Sequence, residues 1–526
     1  MELLLWINSE QIGQKRREVL DKINSYYKDK LNVERFDICD SGGFIQAFKD
    51  IKSIGDFSIL LQFVTFSYTL YRSVLEIERD RGYYLELIKF MLANTGKPLY
   101  PDIDSFYTFN SSNKSYYYSY HDKGNVELLS SIARLQLKLC PDLGVDLSRP
   151  RSLEQPSGLK KIKVGFVSDL VMSTHSVAKD RLGIIKSLYI DPEFKVKIIT
   201  RTTKTDDFFN QVVFKDIKCQ SIFLKLESDS LKDNRTAIAN ERFDILVYPE
   251  IGMCAKTRLL AMSRLAPVQV TTWGHSETSG IQNIDYFISS RYFNSISDQN
   301  QYSEKLVLFD SLGTYYYNIV KLLNIENVLN PFAKAGRQPC DIESPHIYGC
   351  LQVYLKMHPS FIDILNKIQD QDPSAVLIII NNDENGSYEN YLKSSLRHFN
   401  RVLIVNQQPI NRLFEIMKCC DVLLDFYPFG GFNSTIEAFA LGKIVITMTA
   451  NRISGKFTTG LYRKMGISEF ITKNQKEYVE KAIRYASNPE MRLEYEQRIL
   501  ENLDKIYQEP ESITEWKTFL KSKCKS

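Results

Sequence analysis

The feature of this sequence that most limits its fold is a double series of short apolar runs that alternate with helical stretches. The first series contains "IKVGFVSDL", "FKVKIIT", "FDILVYPE", "VQVTTWGH" and "IDYFISS", with helical segments such as "AKDRLGIIKSLYI" between them. Each run ends in polar or glycine residues. Runs of this kind are typical of parallel strands that are buried on both faces. The pattern therefore predicts an α/β fold with a doubly wound sheet.

The same pattern starts again after a connector that contains proline and glycine, around residues 331 to 346. The second series runs through "IYGCLQVYL", "AVLIII", "RVLIVN", "DVLLDF" and "KIVITM". A chain of 526 residues has room for about three domains. We predict a first Rossmann-like domain over 156–332 and a second one over 333–490. An all-helical domain (1–155) precedes them and helices (491–526) follow. The cleft between the two Rossmann-like domains is the expected ligand-binding site.

The residues before the first series have helical periodicity, with apolar positions recurring at spacings of three and four. A stretch rich in tyrosine and serine, over residues 100–125, separates one more helix, "VELLSSIARLQLKL", from the rest. No repeat with a fixed 34-residue period is found there. The sequence therefore leaves open what this domain does and which oligomeric state the chain adopts.

The composition excludes several classes of protein. Lys plus Arg total 67 against 63 for Asp plus Glu, which argues against a nucleic-acid-binding surface. The nine cysteines are scattered without the spacing of a zinc site, and no apolar run approaches the ~20 residues that span a bilayer. Two Asp-x-Asp matches, at Asp102–Asp104 and Asp370–Asp372, are best explained by chance. We expect a soluble, cytoplasmic protein without a metal site.

One segment, "DFYPFGGFNSTIEA" in the second series, is here named the Gly-rich turn. It stands between a predicted strand and a helix, where open α/β sheets hold ligands. Its two glycines leave room for a ligand to approach the backbone. The polar residues behind them offer a helix cap, hydroxyls and N–H groups at the positive end of the helix dipole, which suits a diphosphate. An acidic residue one turn later is placed to bind ribose hydroxyls. The predicted nucleotide-binding residues are Gly430, Gly431, Asn433, Ser434, Thr435 and Glu437, together with Gln352 from "CLQVYLKMHPSF".

Four further residues are candidates for the chemistry. Lys356 lies just past a predicted strand, where an ammonium group can neutralise the charge on a departing diphosphate without a metal. His275 and His175 follow strands of the first series, and Glu250 ends another strand and could act as a general base. Each of the four also has an ordinary structural interpretation. The lysine could be a surface residue, the imidazoles could be purely structural, and the glutamate could be a loop charge. Their joint occurrence at strand ends favours the functional interpretation.

Several collinear segments resemble the catalytic region of the O-linked N-acetylglucosamine transferase family, which includes related bacterial cytoplasmic protein N- and O-glycosyltransferases. They are "KVGFVSDL", "LAPVQVTTWGHSETSGIQNIDYFISS", "CLQVYLKMHP" and "DVLLDFYPFGGFNSTIEAFALGKIVIT", over about residues 160 to 490. The resemblance implies a GT-B architecture, in which two Rossmann-like domains face a cleft. It implies that the first domain (156–332) is the acceptor side and that the second (333–490) binds the nucleotide sugar. It also implies inverting, metal-independent transfer from a nucleotide sugar, usually a UDP-sugar.

The resemblance also implies roles for individual residues. Lys356 matches the lysine that stabilises the pyrophosphate, and Glu437 the acid that binds the ribose. His175 matches an active-site histidine, and His275 the Gly-His of the cleft. Phe432 stands where the animal enzymes have a histidine.

The leading hypothesis is an inverting glycosyltransferase that needs no cofactor beyond its nucleotide-sugar substrate, UDP-GlcNAc or UDP-glucose. The acceptor would be a protein side chain, either Ser/Thr or Asn. The base is left open among Glu250, His175 and the donor phosphate. Three alternatives remain: a transferase to a glycan or lipid, a nucleotide-sugar epimerase of the same fold, and an inactive relative that binds a UDP-sugar or a peptide.

Overall fold

The computed structural model describes residues 70–110, 115–148, 161–171, 175–215, 220–322, 345–381, 383 and 386–524. Most of the predicted connector at 331–346 and the first 69 residues of the predicted helical domain lie outside this set. Within it, the N-terminal part has three α-helices, α1 (Val74–Asn94), α2 (Ile103–Asn110) and α3 (Val126–Leu139). A 3₁₀ helix, Ser115–His121, lies between α2 and α3 and is here named the Tyr-rich turn.

The first sheet has seven parallel strands in the order β3-β2-β1-β4-β5-β6-β7. Its strands are β1 (Ile162–Val167), β2 (Phe194–Thr200), β3 (Phe223–Lys225), β4 (Ile245–Tyr248), β5 (Val268–Thr272), β6 (Tyr286–Ser290) and β7 (Lys305–Phe309). Its helices are α4 (Ser176–Tyr189), α5 (Leu231–Asn240), α6 (Ala255–Met262) and α7 (Ile319–Leu322). This order is that of a doubly wound fold, which confirms the prediction.

The second sheet has six parallel strands in the order β10-β9-β8-β11-β12-β13. Its strands are β8 (His346–Cys350), β9 (Ala375–Asn381), β10 (Val402–Asn406), β11 (Val422–Leu424), β12 (Val445–Met448) and β13 (Ile471–Thr472). Its helices are α8 (Pro359–Gln371), α9 (Ser387–Ser395), α10 (Ile410–Cys419), α11 (Asn433–Ala440) and α12 (Phe457–Met465). All seven residues of β9 are buried, six of them apolar, as a central parallel strand requires.

Three helices end the chain, α13 (Gln475–Ser487), α14 (Pro489–Glu501) and α15 (Pro510–Cys524). The last of them contacts α4 and β1 of the first Rossmann-like domain. Trp516 on α15 is fully buried and donates its indole N–H to the carbonyl oxygen of Gly313 at 3.0 Å. The C-terminal helix therefore ties the end of the chain back to the first domain.

The two Rossmann-like domains meet through aromatic side chains. Trp273 from the first domain lies 4.5 Å from Phe432 of the second, measured between ring centroids. Phe293 and Phe457 complete the contact, with their rings 5.2 Å apart. This burial of four rings holds the domains in one arrangement.

The N-terminal helices pack against one face of the first sheet. Tyr84 and Leu129 belong to the same buried cluster as Val167 and Leu246 of that sheet. The Tyr- and Ser-rich stretch lies between α1 and α3, and it has structure of its own: it forms α2 and the Tyr-rich turn, and its Tyr118 is fully buried. Its tyrosines contact both Rossmann-like domains, Tyr116 at His275 and Tyr120 at Phe429.

Gly280 marks the closest approach of α3 to the first Rossmann-like domain. Its φ is +68°, and a Cβ placed there would lie 2.6 Å from the carbonyl oxygen of Leu129. We predict that Gly280→Ala lowers the free energy of unfolding by about 2–4 kcal/mol, from strain plus a backbone clash.

Gly466 is the matched control, because its φ is +76° and no atom lies within 4 Å of a Cβ there. Gly466→Ala should cost only the left-handed strain, about 1 kcal/mol. Denaturant unfolding of both variants is the measurement. Equal losses would contradict a tight contact between α3 and the first domain.

Candidate functional site

The polar residues singled out in the sequence gather where the strand order of each sheet reverses. In the first sheet the reversal lies between β1 and β4, and His175 and Glu250 follow these strands. In the second sheet it lies between β8 and β11, and Lys356 and the Gly-rich turn follow these. Such reversals open a crevice at the carboxyl ends of the strands, where doubly wound proteins bind ligands.

Asp425, which the sequence analysis did not select, organises the Gly-rich turn. It follows β11 and is 3% exposed. One carboxylate oxygen accepts from the Gly431 N–H and the Gln352 amide, both at 2.8 Å, and the other from the Thr447 hydroxyl at 2.9 Å. Burial raises the pKa of Asp425, and these hydrogen bonds oppose that shift. A carboxylate directly after a buried strand was the signal that could have identified it.

The carboxylate also explains one of the two glycines. A Cβ on Gly430 would lie 2.6 Å from an oxygen of Asp425, closer than van der Waals contact permits. Glycine is therefore required at this position by the turn's own packing, whether or not a ligand approaches.

Lys356 ends a 3₁₀ helix, Tyr354–Lys356, that follows β8, and its side chain reaches the Gly-rich turn. Its ammonium group donates to the Gln352 side-chain oxygen at 2.9 Å and to the Gly430 carbonyl at 3.3 Å, and it lies 4.5 Å from the ring centroid of Phe429. Burial lowers the pKa of Lys356 to about 8, and Asp425 opposes the shift. Gln352 thus links the lysine to Asp425 and fixes the ammonium group beside the turn.

The start of α11 differs from the prediction in one respect. Asn433, Ser434 and Thr435 were expected to include the helix cap, but the N-cap residue is Phe432 and no side chain caps the helix. Thr435 instead donates to the Gly431 carbonyl at 3.0 Å and pairs with the hydroxyl of Thr458 at 2.8 Å. The cap is lost because the phenylalanine is needed in the aromatic contact with Trp273.

The first domain covers one side of α11. Lys179 on α4 donates to Glu437 in an ion pair whose two side chains are 8% and 6% exposed. The Tyr316 hydroxyl donates to the Asn433 side-chain oxygen at 2.7 Å. Glu437, predicted as a ribose-binding acid, therefore has a protein partner from the opposite domain. Nothing in the sequence pattern indicated this, because the partners are 258 residues apart.

Asp180 is a second charged residue at this contact. It is 3% exposed, hydrogen-bonds to Asn433, and one of its carboxylate oxygens has no hydrogen-bond partner. Burial raises its pKa to about 7, while the neighbouring Arg181 opposes the shift. The run Lys179–Arg181 thus places three buried charged residues on one turn of α4, a signal that the sequence analysis overlooked.

His175 begins α4. Its Nδ1 accepts from the Val177 N–H at 3.3 Å, so the ring caps the helix. Burial, with the nearby charge of Lys179, lowers the pKa of His175. The ring is only half-buried, and its Nε2 is not used in this cap.

His275 lies at the end of β5, but its side chain is only 2% exposed. Burial lowers its pKa to about 3, and Arg258 adds to the shift. The ring faces Gly252, where a Cβ would lie 2.6 Å from Nδ1, and lies 5.3 Å from the ring centroid of Tyr116. The sequence had suggested a ring that projects into the cleft towards the Gly-rich turn. The Tyr-rich turn stands between the two.

The Tyr-rich turn contacts both Rossmann-like domains. The Tyr116 hydroxyl lies 3.3 Å from the Ser276 hydroxyl in the first domain. Tyr120 packs against Phe429 of the Gly-rich turn, with ring centroids 4.6 Å apart. Just beyond it, Asn125 donates to Glu277 at 2.5 Å. The N-terminal part of the chain therefore forms one wall of the cleft.

Glu250 is fully buried at the end of β4. One carboxylate oxygen accepts from the Asp169 N–H at 3.2 Å, and the other has no hydrogen-bond partner. Burial raises the pKa of Glu250 to about 8, with a side-chain hydrogen bond to Ser168 opposing the shift. The group is thus a neutral acid at pH 7.

The described residues show neither a metal centre nor a membrane-spanning helix. No group of three or more His, Cys, Asp or Glu among them is arranged to hold a metal ion. No described helix is long and apolar enough to cross a membrane. Of the two Asp-x-Asp matches, Asp104 accepts from Ser230 at 2.6 Å and Asp372 from Tyr348 at 2.6 Å, which are structural contacts.

Two parallel sheets that face each other, each with polar groups at its reversal point, define the GT-B fold of nucleotide-sugar-dependent glycosyltransferases. A solved structure of an O-GlcNAc transferase from Thermobaculum terrenum has the same architecture. The match has a TM-score of 0.58 at 17% identity and covers 90% of this chain and 99% of that one.

The chain is also homologous to protein glycosyltransferases. It is 25% identical over 269 residues to the UDP-glucose:protein N-beta-glucosyltransferase of Actinobacillus pleuropneumoniae, a match that covers 49% of this chain. It is 25% identical over 340 residues, 62% of this chain, to the probable UDP-N-acetylglucosamine–peptide N-acetylglucosaminyltransferase SPINDLY of Petunia hybrida. The matches cover only 40% and 35% of these relatives. No protein-family model matches the chain.

The buried acid at the end of β4 makes a prediction about pH. Its pKa is higher in the folded chain, about 8, than in the unfolded chain, near 4.5. The stability that it contributes is therefore complete below about pH 4.5 and is lost as the pH rises towards 8. Glu250→Gln removes this loss.

The variant's stability advantage over the wild type should accordingly grow from pH 5 to pH 8, by at most about 1.4 kcal/mol per pH unit. Denaturant unfolding at pH 5, 6.5 and 8 measures it. A difference that does not change with pH would show that Glu250 is ionised in the folded chain.

Proposed function

We propose that this protein is an inverting glycosyltransferase that moves a glucose or N-acetylglucosamine from a UDP-sugar to a protein side chain. The relatives support the donor and the acceptor, because their names give UDP-glucose or UDP-N-acetylglucosamine as donor and protein or peptide as acceptor. The observation that carries the proposal is the position of Lys356 beside the Gly-rich turn at the start of α11.

The donor diphosphate would bind over this turn, with N–H groups of α11 and the Lys356 ammonium group as its partners. When the bond between the anomeric carbon and the diphosphate oxygen breaks, negative charge grows on that oxygen. A fixed ammonium group and a helix N-terminus stabilise such charge without having to reorganise. Gln352 and Asp425 hold the lysine in place for this role. In this proposal the Lys356 side chain and the helix dipole of α11 neutralise the diphosphate charge, which a metal ion neutralises in metal-dependent enzymes.

The acceptor would approach from the first domain and attack the opposite face of the sugar, which inverts the anomeric centre. Of the two side chains considered as base, His175 fits better than Glu250. Its ring is half-buried and neutral because its pKa is lowered, whereas Glu250 is fully buried and holds its proton up to about pH 8. The donor phosphate is the third candidate for the proton acceptor.

The remaining predicted residues would shape the cleft. His275 supports the wall that carries Tyr116, and the Tyr-rich turn closes the cleft on the N-terminal side. Exclusion of water there would limit hydrolysis of the donor. We infer that the helical part of the chain takes part in holding the protein acceptor, and that the reaction takes place in the cytoplasm.

We predict that the full chain binds UDP equally well with and without EDTA, because its positive groups come from Lys356 and α11. Calorimetry measures this binding. Loss of affinity on chelation would contradict the metal-independent mechanism.

The function itself is tested by mass spectrometry of acceptor proteins after incubation with UDP-glucose or UDP-GlcNAc. Addition of one hexose or N-acetylhexosamine to a Ser, Thr or Asn side chain is the expected result. Binding of UDP with no transfer to any protein, glycan or lipid would favour an inactive, ligand-binding relative, and release of an epimerised UDP-sugar would favour an epimerase.

Lys356→Ala should lower kcat on the order of 100-fold, with a smaller effect on KM, because its charge matters most as the glycosidic bond breaks. Lys367→Ala is the control, since Lys367 is also half-buried in this domain but bonds only to Gln475, at 2.6 Å. Initial rates at varied donor concentration separate the two constants. A raised KM with unchanged kcat would make Lys356 a ground-state contact.

A further inference from the structure

The ion pair between Lys179 and Glu437 joins the two domains at the predicted donor site. Both side chains are at least nine-tenths buried, at 8% and 6% exposure. A buried ion pair costs desolvation of both charges, and well-packed apolar residues often serve stability as well or better. A contribution to stability alone therefore explains this ion pair poorly, which suggests that the two charged groups have a second role.

The pair lies where two helices begin. Lys179 is on the first turn of α4, which starts at Ser176 behind its His175 cap, and Glu437 is one turn into α11, which starts at Asn433. The two helices are in contact. The positive ends of both helix dipoles are thus directed to one region between the domains.

This region is bracketed by ammonium groups. Lys356 binds the carbonyl of Gly430, just before α11 starts, and Lys179 binds Glu437, one turn after the start. A diphosphate carries more than one negative charge, and one ammonium group together with about half a unit charge from a helix dipole does not neutralise it. A second ammonium group within reach of the start of α11 would complete the compensation.

We propose that Lys179 is a donor-binding residue contributed by the first domain, and that it exchanges Glu437 for the donor diphosphate when the nucleotide sugar binds. The exchange frees the Glu437 carboxylate to accept hydrogen bonds from donor hydroxyls. The ion pair therefore holds both side chains in place in the free protein. This inference rests on the proposed use of a nucleotide diphosphate sugar.

The exchange gives the two residues unlike roles, so reversing the pair distinguishes it from a simple contact between domains. In the double variant Lys179→Glu/Glu437→Lys the ion pair can form again, but a carboxylate replaces the ammonium group on α4. We expect this variant to fold and to bind UDP at least tenfold more weakly than the wild type, as measured by calorimetry. Restored UDP affinity would overturn the proposal, because the pair would then be only structural.

A single variant tests the phosphate contact. Lys179→Met should weaken UDP at least tenfold and UMP much less, because UMP lacks the second phosphate. Equal losses for UDP and UMP, or no loss for either, would overturn the proposal. Because each comparison is between two ligands of one variant, a modest loss of stability does not mimic the expected result.

Lys443 and Glu496 provide the matched control. They form another largely covered ion pair, with side chains 9% and 18% exposed, between α14 and the residues just before β12. The reversed pair Lys443→Glu/Glu496→Lys should leave the UDP affinity unchanged. Binding of UDP to the wild type is measured first. If the wild type binds no uridine nucleotide, the proposed function is refuted. If the wild type binds UDP and the variant with the reversed Lys179–Glu437 pair binds it equally well, this inference alone is refuted.

Discussion

The Gly-rich turn depends on one buried carboxyl group. Asp425 joins the end of β11, the backbone of Gly431 and the side chain of Gln352, and through Gln352 it positions Lys356. A carboxyl group so deeply buried is tolerated only because hydrogen-bond donors surround it, and each of those donors is fixed in turn. The turn, the first residues of α11 and the ammonium group thus form one rigid unit. Such rigidity is what electrostatic stabilisation of a leaving group requires.

The opposite wall is built from parts that are far apart in the sequence. The Tyr-rich turn contacts the first domain at Ser276 and the second at Phe429, while Trp273 and Phe432 join the two domains beneath it. The cleft therefore has three walls, and the helical part of the chain provides one of them. A change in the position of α3 or of the Tyr-rich turn would alter the cleft without touching a Rossmann-like domain.

The sequence was sufficient for those features that depend on local pattern. Apolar runs that end in polar residues predicted most of the parallel strands, and the Gly-rich turn and Lys356 were recognised from their place after a strand. The strands β3, β7 and β13 were missed. In β3 and β13 the two or three residues are too few to show a period. Features that need the third dimension were also missed. The partner of Glu437, the burial of His275 and the wall formed by Tyr116 depend on contacts between distant segments.

Burial shifts the pKa values of three candidate residues, and this limits the roles that they can play. Burial lowers the pKa of both His175 and His275 and raises that of Glu250, so at neutral pH all three favour their uncharged forms. The positive charge near the start of α11 comes instead from Lys179 and Lys356. In the proposed reaction a leaving diphosphate would thus be stabilised by lysines. Of the three uncharged side chains, His275 is covered and Glu250 holds its proton, and their burial therefore favours the proposal that His175 accepts the proton.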